Sequence, residues 1–103
     1  LYYGRQGSTL LFGSELKALR AHPAFEAAID RTVLPQYLRH NYVPGPHTIY
    51  EGIFKLPAGM VCEIALDAPR LEPVPYWSFT EQALAGATTP LTGPPDEIVA
   101  QVE

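Results

Sequence analysis

An α+β fold is what three features of this 103-residue sequence predict. An apolar hairpin pattern opens the chain, two stretches of helical periodicity follow, and a second pair of strand-like runs comes after a proline-rich crossing. Leu1-Tyr2-Tyr3-Gly4-Arg5 reads as a strand end, Gln6-Gly7-Ser8 as a turn, and Thr9-Leu10-Leu11-Phe12 as the returning strand. Gly13 and Ser14 punctuate, and Ser14 is expected to N-cap a helix from Glu15 to Ala21. Only half of a capping box is present, because Lys17 stands where Glu or Gln would reach back. Glu15 in the first turn and Arg20 in the last suit the helix dipole. His22-Pro23 ends the helix, with His22 expected to hydrogen-bond a terminal carbonyl.

The second helix is expected from about Thr32 to Arg39. Val33, Leu34, Tyr37 and Leu38 form one apolar stripe, and Pro35 is tolerable because it sits in the first turn. Tyr42 to Pro46 is a breaker cluster, and Thr48 to Leu56 is apolar without a clean period. Pro57-Ala58-Gly59 turns the chain into Met60–Leu66, where Met60, Cys62, Ile64 and Leu66 alternate onto one face. Asp67 to Arg70 reads as a hairpin connection and Leu71 to Phe79 as a strand that Pro73 and Pro75 confine to an edge. The helix stripe and the Met60–Leu66 alternation should face one shared core. Thr80 to Pro95 has linker composition, and Asp96 to Glu103 resumes a helical pattern with Ile98, Val99 and Val102 on one side.

Proline supplies 11 of 103 residues, about twice ordinary usage, so irregular connections are expected to be extensive. Net charge is −4 and unevenly placed: residues 1–79 hold seven basic and seven acidic side chains, residues 80–103 four acidic and no basic ones. A neutral body with an acidic end has no electrostatic footprint for phosphates, which argues against nucleic-acid binding. The single cysteine cannot form an internal disulfide and suits a reducing cytoplasm. The longest strongly apolar run falls far short of the ~20 residues of a membrane span, and no basic-plus-apolar leader opens the chain. Starting on Leu1 and running straight into Tyr2-Tyr3, the sequence reads as cut from something longer.

Candidate sites, tested singly, yield no catalytic, cofactor-binding or metal-ligating residue. Cys62 is the only thiol, but its alternation with Met60 and Ile64 suits a small buried hydrophobe better than a nucleophile. His40 and His47 flank a proline-rich bend without ligand spacing. Gly4, Gly7 and Gly13 fit neither a P-loop nor a dinucleotide fingerprint. Glu15 and Glu51 have no visible partner that would tune either into a general base.

The order of five segments nevertheless resembles a known family. Leu1-Tyr2-Tyr3-Gly4, Leu11 to Leu19, Tyr42-Val43-Pro44 with Thr48-Ile49-Tyr50, Lys55-Leu56-Pro57-Ala58-Gly59, and Tyr76-Trp77 together are similar to the glutamine-hydrolysing asparagine synthetases. The most specific stretches hold Ser14, Glu15 and Lys17, and Lys55, Leu56, Pro57 and Gly59, which the resemblance marks as structural. Gly13 stands where the family usually has alanine, and Met60 where it often has histidine or tyrosine. Such enzymes join a class II glutamine amidotransferase domain, a four-layer α/β/β/α sandwich of the N-terminal-nucleophile type, to an ATP-dependent synthetase domain, with an ammonia channel between them. The resemblance implies that residues 1–79 are the C-terminal part of the first domain, 80–95 the linker and 96–103 the start of the second.

On that view the terminal cysteine nucleophile and the glutamine-gripping Arg, Asn-Gly and Asp lie upstream, and the ATP loop lies beyond Glu103. ATP and magnesium are expected only for the full-length parent, whose remainder is the implied partner. An opened sheet would also favour self-association through strand edges. Another amidating ligase on the same plan, such as a β-lactam synthetase, remains an alternative, as does a non-catalytic binding or structural module.

Overall fold

The computed structural model describes residues 1–65 and 71–102. β1 (Tyr2–Gln6) and β2 (Thr9–Gly13) pair antiparallel as the expected hairpin, turned at Gly7, whose φ of +58° is a left-handed conformation natural to glycine. β3 (Ile53–Lys55) pairs antiparallel along the other side of β1, giving the order β2-β1-β3. β1 is central because Gly4 lets a neighbour in: the Gly52 carbonyl oxygen lies 2.0 Å from where a Cβ would stand.

Residues opposite one another across a ladder share a face. Tyr2, Gly4, Leu11, Ile53 and Lys55 therefore lie on one side, and Tyr3, Leu10, Phe12 and Phe54 on the other. The core forms on the first side, where Leu11 and Ile53 meet Leu19 of α1 (Leu16–Arg20), with Tyr2, Leu16, Phe25 and Tyr50 packed around them. On the second side the Tyr3 and Phe54 rings stand 6.1 Å apart, and Phe12 is 68% exposed. The fold is thus α+β, built on small sheets.

Several expectations need correction. Glu15, not Ser14, occupies the N-cap of α1 and makes no side-chain cap bond. With lysine at position 17 the reciprocal bond has no carboxylate, and Glu15 pairs with Lys17 instead at 2.7 Å. His22 does not donate to a carbonyl; its Nδ1 accepts from the Ala24 amide at 3.1 Å. The second helix opens as a 3₁₀ turn (Arg31–Val33) and continues as α2 (Leu34–His40). Val33 is buried, but Leu34, Tyr37 and Leu38 of the expected stripe stay exposed. The alternating strand shrinks to β4 (Met60–Val61), paired with β5 (Val74–Pro75). Proline at 73 and 75 removes the amide donors that longer pairing would need. Cys62 is half-buried and Ile64 exposed, so the core predicted to be shared by α2 and Met60–Leu66 does not form. Leu66 and the hairpin connection read at 67–70 lie outside the described residues.

The segment read as linker carries a helix, α3 (Phe79–Thr88), capped by the Ser78 hydroxyl, which accepts from the Glu81 amide at 3.3 Å. Irregular backbone is left only over 89–94, ahead of α4 (Pro95–Val102), the helix expected there. The described chain extends 59 × 36 × 21 Å with a radius of gyration of 19.3 Å. A compact domain of ~100 residues has about 13 Å, so much apolar surface stays uncovered.

Asp30 starts the 3₁₀ turn by accepting from the Thr32 hydroxyl (2.6 Å) and amide (2.9 Å). Those bonds, with a smaller contribution from the charge of His47, hold its carboxyl below the ordinary 3.8. A lowered native value stabilises the fold fully above that ordinary value, and the benefit is lost as pH falls below it. Asp30→Asn is therefore expected to flatten the acid limb of a thermal-stability profile below about pH 4. An unchanged limb would show that the cap is dispensable.

Candidate functional site

Segments far apart in sequence converge around β1. Lys55 ends β3 with its amide donating to the Pro46 carbonyl at 2.7 Å, while its ammonium donates to the Val43 carbonyl. Both bonds pin the proline-rich 42–47 segment against the sheet. The next amide, Leu56, donates to the Leu1 carbonyl at 2.9 Å, so the lysine stretch also clamps the chain start. Thr48 is buried; its hydroxyl donates to the Ile53 carbonyl (2.8 Å) and accepts from the Tyr50 amide (3.0 Å), tying the Thr48-Ile49-Tyr50 turn to β3. Gly59 lies at φ +70°, and the Trp77 carbonyl oxygen stands 2.1 Å from where its Cβ would be. The Gly59 carbonyl accepts from the amides of Tyr76 (2.9 Å) and Trp77 (3.2 Å). Tyr76-Trp77 thus docks directly on the Lys55–Gly59 stretch.

Gln6 was read from the sequence only as turn chemistry, yet it is a buried clamp. Its Nε2 donates to the Glu51 carbonyl (2.9 Å), and its Oε1 accepts from the Glu26 amide (2.7 Å). One side chain so holds two distant loops to the hairpin. Gln6→Leu keeps the bulk but strands a part-buried donor, the Glu26 amide, and a part-buried acceptor, the Glu51 carbonyl, each worth at most roughly 1–3 kcal/mol when left unpaired. A loss on the order of 2 kcal/mol in chemical denaturation is expected; a neutral result would mean that water replaces the clamp.

Two hollows flank the sheet. One, of about 450 Å³, opens on the helix side between Leu16, Tyr37, Val43, Ile49 and Lys55. The other, of about 290 Å³, lies on the aromatic side against Tyr3, Phe54, Pro57 and Met60. Both are walled mainly by apolar groups, and the ammonium at the first already holds Val43. Burial pushes the Tyr3 phenol above the usual 10.0, and the Cys62 charge adds to it.

The remaining sequence candidates do not gather. Ser14, Glu15 and Lys17 are exposed, and an ion pair in that setting adds little. Glu51 is exposed and acts through its backbone, its amide donating to the Ala28 carbonyl at 3.0 Å. His40 packs near Tyr42 and His47 near Phe54. Among the described residues no three His, Cys, Asp or Glu side chains cluster. Lys55, Leu56 and Gly59 tie loops, strand and turn together through the bonds and close contact above, with Gln6 and Thr48 as further polar ties.

A family described as glutamine amidotransferase domain matches residues 1–77. "Asparagine synthetase [glutamine-hydrolyzing] 3" of Bacillus subtilis (strain 168) is 44% identical over 54 residues, 52% of this chain and 8% of that protein. "Putative asparagine synthetase [glutamine-hydrolyzing] 2" of Methanocaldococcus jannaschii is 28% identical over 82 residues, 78% of this chain and 16% of that protein. The chain thus spans less than a fifth of either relative's length. No solved structure matches it.

Proposed function

The chain belongs to the glutamine amidotransferase domain family, and we propose that it is a scaffold-forming part of that domain from a glutamine-dependent asparagine synthetase. The parent reaction on this reading is ATP-dependent amidation of aspartate with ammonia released from glutamine. The observation behind it is the convergence of the five resembling segments: Leu1 with Leu56, Gly4 with Leu11, Val43 with Lys55, and Gly59 with Trp77 are each paired or in direct backbone or side-chain contact. The role of these residues is to set strand register and fix loops, with bond making and breaking left to groups elsewhere in the parent.

The reading extends to the rest of the chain. Residues 1–79 form the C-terminal part of the amidotransferase domain, 80–95 a linker containing α3, and 96–103 the opening of the synthetase domain. The aromatic sheet face of Tyr3, Leu10, Phe12 and Phe54 suits packing against a second sheet, as the inner layers of a four-layer sandwich require. ATP and magnesium do not fit the residues present. The glycines at 4, 7 and 13 have no phosphate-loop spacing, and no carboxylate cluster stands among the described residues; no step is assigned to either here. A cytoplasmic parent follows from the same reading.

The isolated 103-residue chain, given glutamine, or ATP with aspartate and pyrophosphate, is expected to release no ammonia and exchange no pyrophosphate above background. Turnover that survives rigorous purification and is abolished by Cys62→Ser would overturn the scaffold reading.

A further inference from the structure

The hollow of about 450 Å³ lies between two layers that this chain itself supplies. Tyr2 and Lys55 wall it from the helix-side face of the sheet, and Leu34 and Tyr37 of α2 from across it. The aromatic face, which a sandwich would pack on a second sheet, is on the opposite side of the strands. The hollow is also where the outward members of the α2 stripe, Leu34 and Tyr37, lose part of their contact with water.

Its polar groups are few, and most are unspent. The Thr48 hydroxyl is engaged with Tyr50 and Ile53. The Lys55 ammonium has three N–H donors; one goes to the carbonyl of Val43, itself a wall residue, which anchors the charge at the wall. Among the described residues no carboxylate pairs with that ammonium, the ion pair there being Lys17 with Glu15. Neither phenol hydroxyl, of Tyr2 or of Tyr37, hydrogen-bonds a described residue. No Asp or Glu lines the hollow.

We infer that this hollow is a binding site for a small monocarboxylate with an apolar body. The carboxylate accepts from the remaining Lys55 donors and from a tyrosine hydroxyl, and such charge-assisted bonds are the strong ones. The body displaces water from Leu16, Leu34, Val43 and Ile49. The volume falls within the roughly 300–1,000 Å³ usual for small-molecule sites, as does an apolar lining with a few polar groups. One ammonium and no guanidinium suit a single negative charge, not a phosphate dianion. Glutamine and aspartate, whose bodies are polar, do not match these walls. The site is thus separate from the amidation chemistry of the proposed parent.

Methyl-resolved NMR titration of the 103-residue chain with octanoate, and with octanamide as its neutral twin, tests this. Saturable shifts centred on the Leu34, Val43 and Ile49 methyls are expected, with octanoate bound roughly tenfold tighter than octanamide. Lys55→Met keeps the stem and removes the charge, so it should erase that difference while octanamide still binds. Leu34→Trp, at an exposed position of α2, fills the hollow and should weaken both probes alike. The comparison of acid with amide needs no variant, so it decides the matter if Lys55→Met releases Val43 and loses the fold. Residues 1–77 grafted into the Bacillus subtilis asparagine synthetase should bind octanoate as the free chain does. Equal affinity for the two probes overturns the proposal, as do absent or differently placed shifts. So does a folded graft that no longer binds octanoate, because another segment then occupies the hollow.

Discussion

Replacing Gly4 with alanine is expected to unfold this chain. Its added Cβ would stand 2.0 Å from the Gly52 carbonyl oxygen and 2.9 Å from both the Gly52 carbonyl carbon and the Ile53 Cδ1. Two of those three atoms are backbone, so no rotamer change relieves the overlap. Gly52 cannot readily retreat, because its own φ of +71° is held in the turn that enters β3. The strands must part, and with them go Leu11 and Ile53, two of the three residues at the centre of the core. Overpacking ordinarily costs about 1–3 kcal/mol where side chains can shift. Here the cost should reach or exceed the upper end, a large share of the stability of any small domain. Gly45→Ala is the control: nothing lies within 4 Å of its Cβ position, φ is not left-handed, and no comparable loss is expected. Denaturant midpoints, or soluble yield if Gly4→Ala cannot be purified, separate the two.

The second large effect is expected at Gly59, and it should be local. Alanine there meets two penalties at once, a left-handed backbone at φ +70° and a Cβ position 2.1 Å from the Trp77 carbonyl oxygen. Left-handed strain alone costs roughly 1–2 kcal/mol for a residue with a Cβ. Gly7 isolates that strain, since it too is left-handed (φ +58°) with nothing within 4 Å. The difference between Gly59→Ala and Gly7→Ala therefore measures the contact of the Lys55–Gly59 stretch with Tyr76-Trp77. Gly59→Ala should undock Trp77 and open the β4–β5 pair, shifting tryptophan emission to the red while the β1–β2–β3 amides stay protected from exchange. Equal effects at the two glycines would mean that the Gly59–Trp77 contact contributes nothing.

The hairpin at residues 2–13 was legible because its signals are local: apolar runs on either side of a turn, with glycine at the one position that is left-handed. The capped end of α3 was equally local, since Ser78 and Glu81 stand in capping-box spacing, yet the alanine, glycine and proline content of 80–95 masked it. What sequence could not reveal was which apolar pattern finds a partner. Met60–Leu66 alternates perfectly, but an alternating strand needs a neighbour able to donate, and its neighbour contains Pro73 and Pro75. The α2 stripe is sound helical periodicity that no layer covers among the described residues, and Leu38 remains 79% exposed.

Gln6 and Thr48 were invisible for a different reason. A buried polar residue is recognised by the backbone groups it satisfies, and those belong to residues as distant as Glu26 and Glu51. The family motifs had the opposite property. Lys55, Leu56 and Gly59 stand out in the sequence, but only the fold shows what each holds: Val43, Leu1 and Trp77 respectively. That Glu15 and Lys17 form an exposed ion pair beside an exposed Ser14 gives no physical reason, within this chain, for the place of these three residues in the motif.

The decisive measurement is a graft. Residues 1–77 of this chain, the span matched by the amidotransferase family, would replace the corresponding segment of the Bacillus subtilis asparagine synthetase to which it is similar. Glutamine consumption by the chimera is then followed alongside the same graft carrying Gly4→Ala. If these residues are an interchangeable frame, the plain graft should stay folded and hydrolyse glutamine, and Gly4→Ala should abolish both. A chimera that folds as the host does but has lost glutamine hydrolysis would contradict the claim.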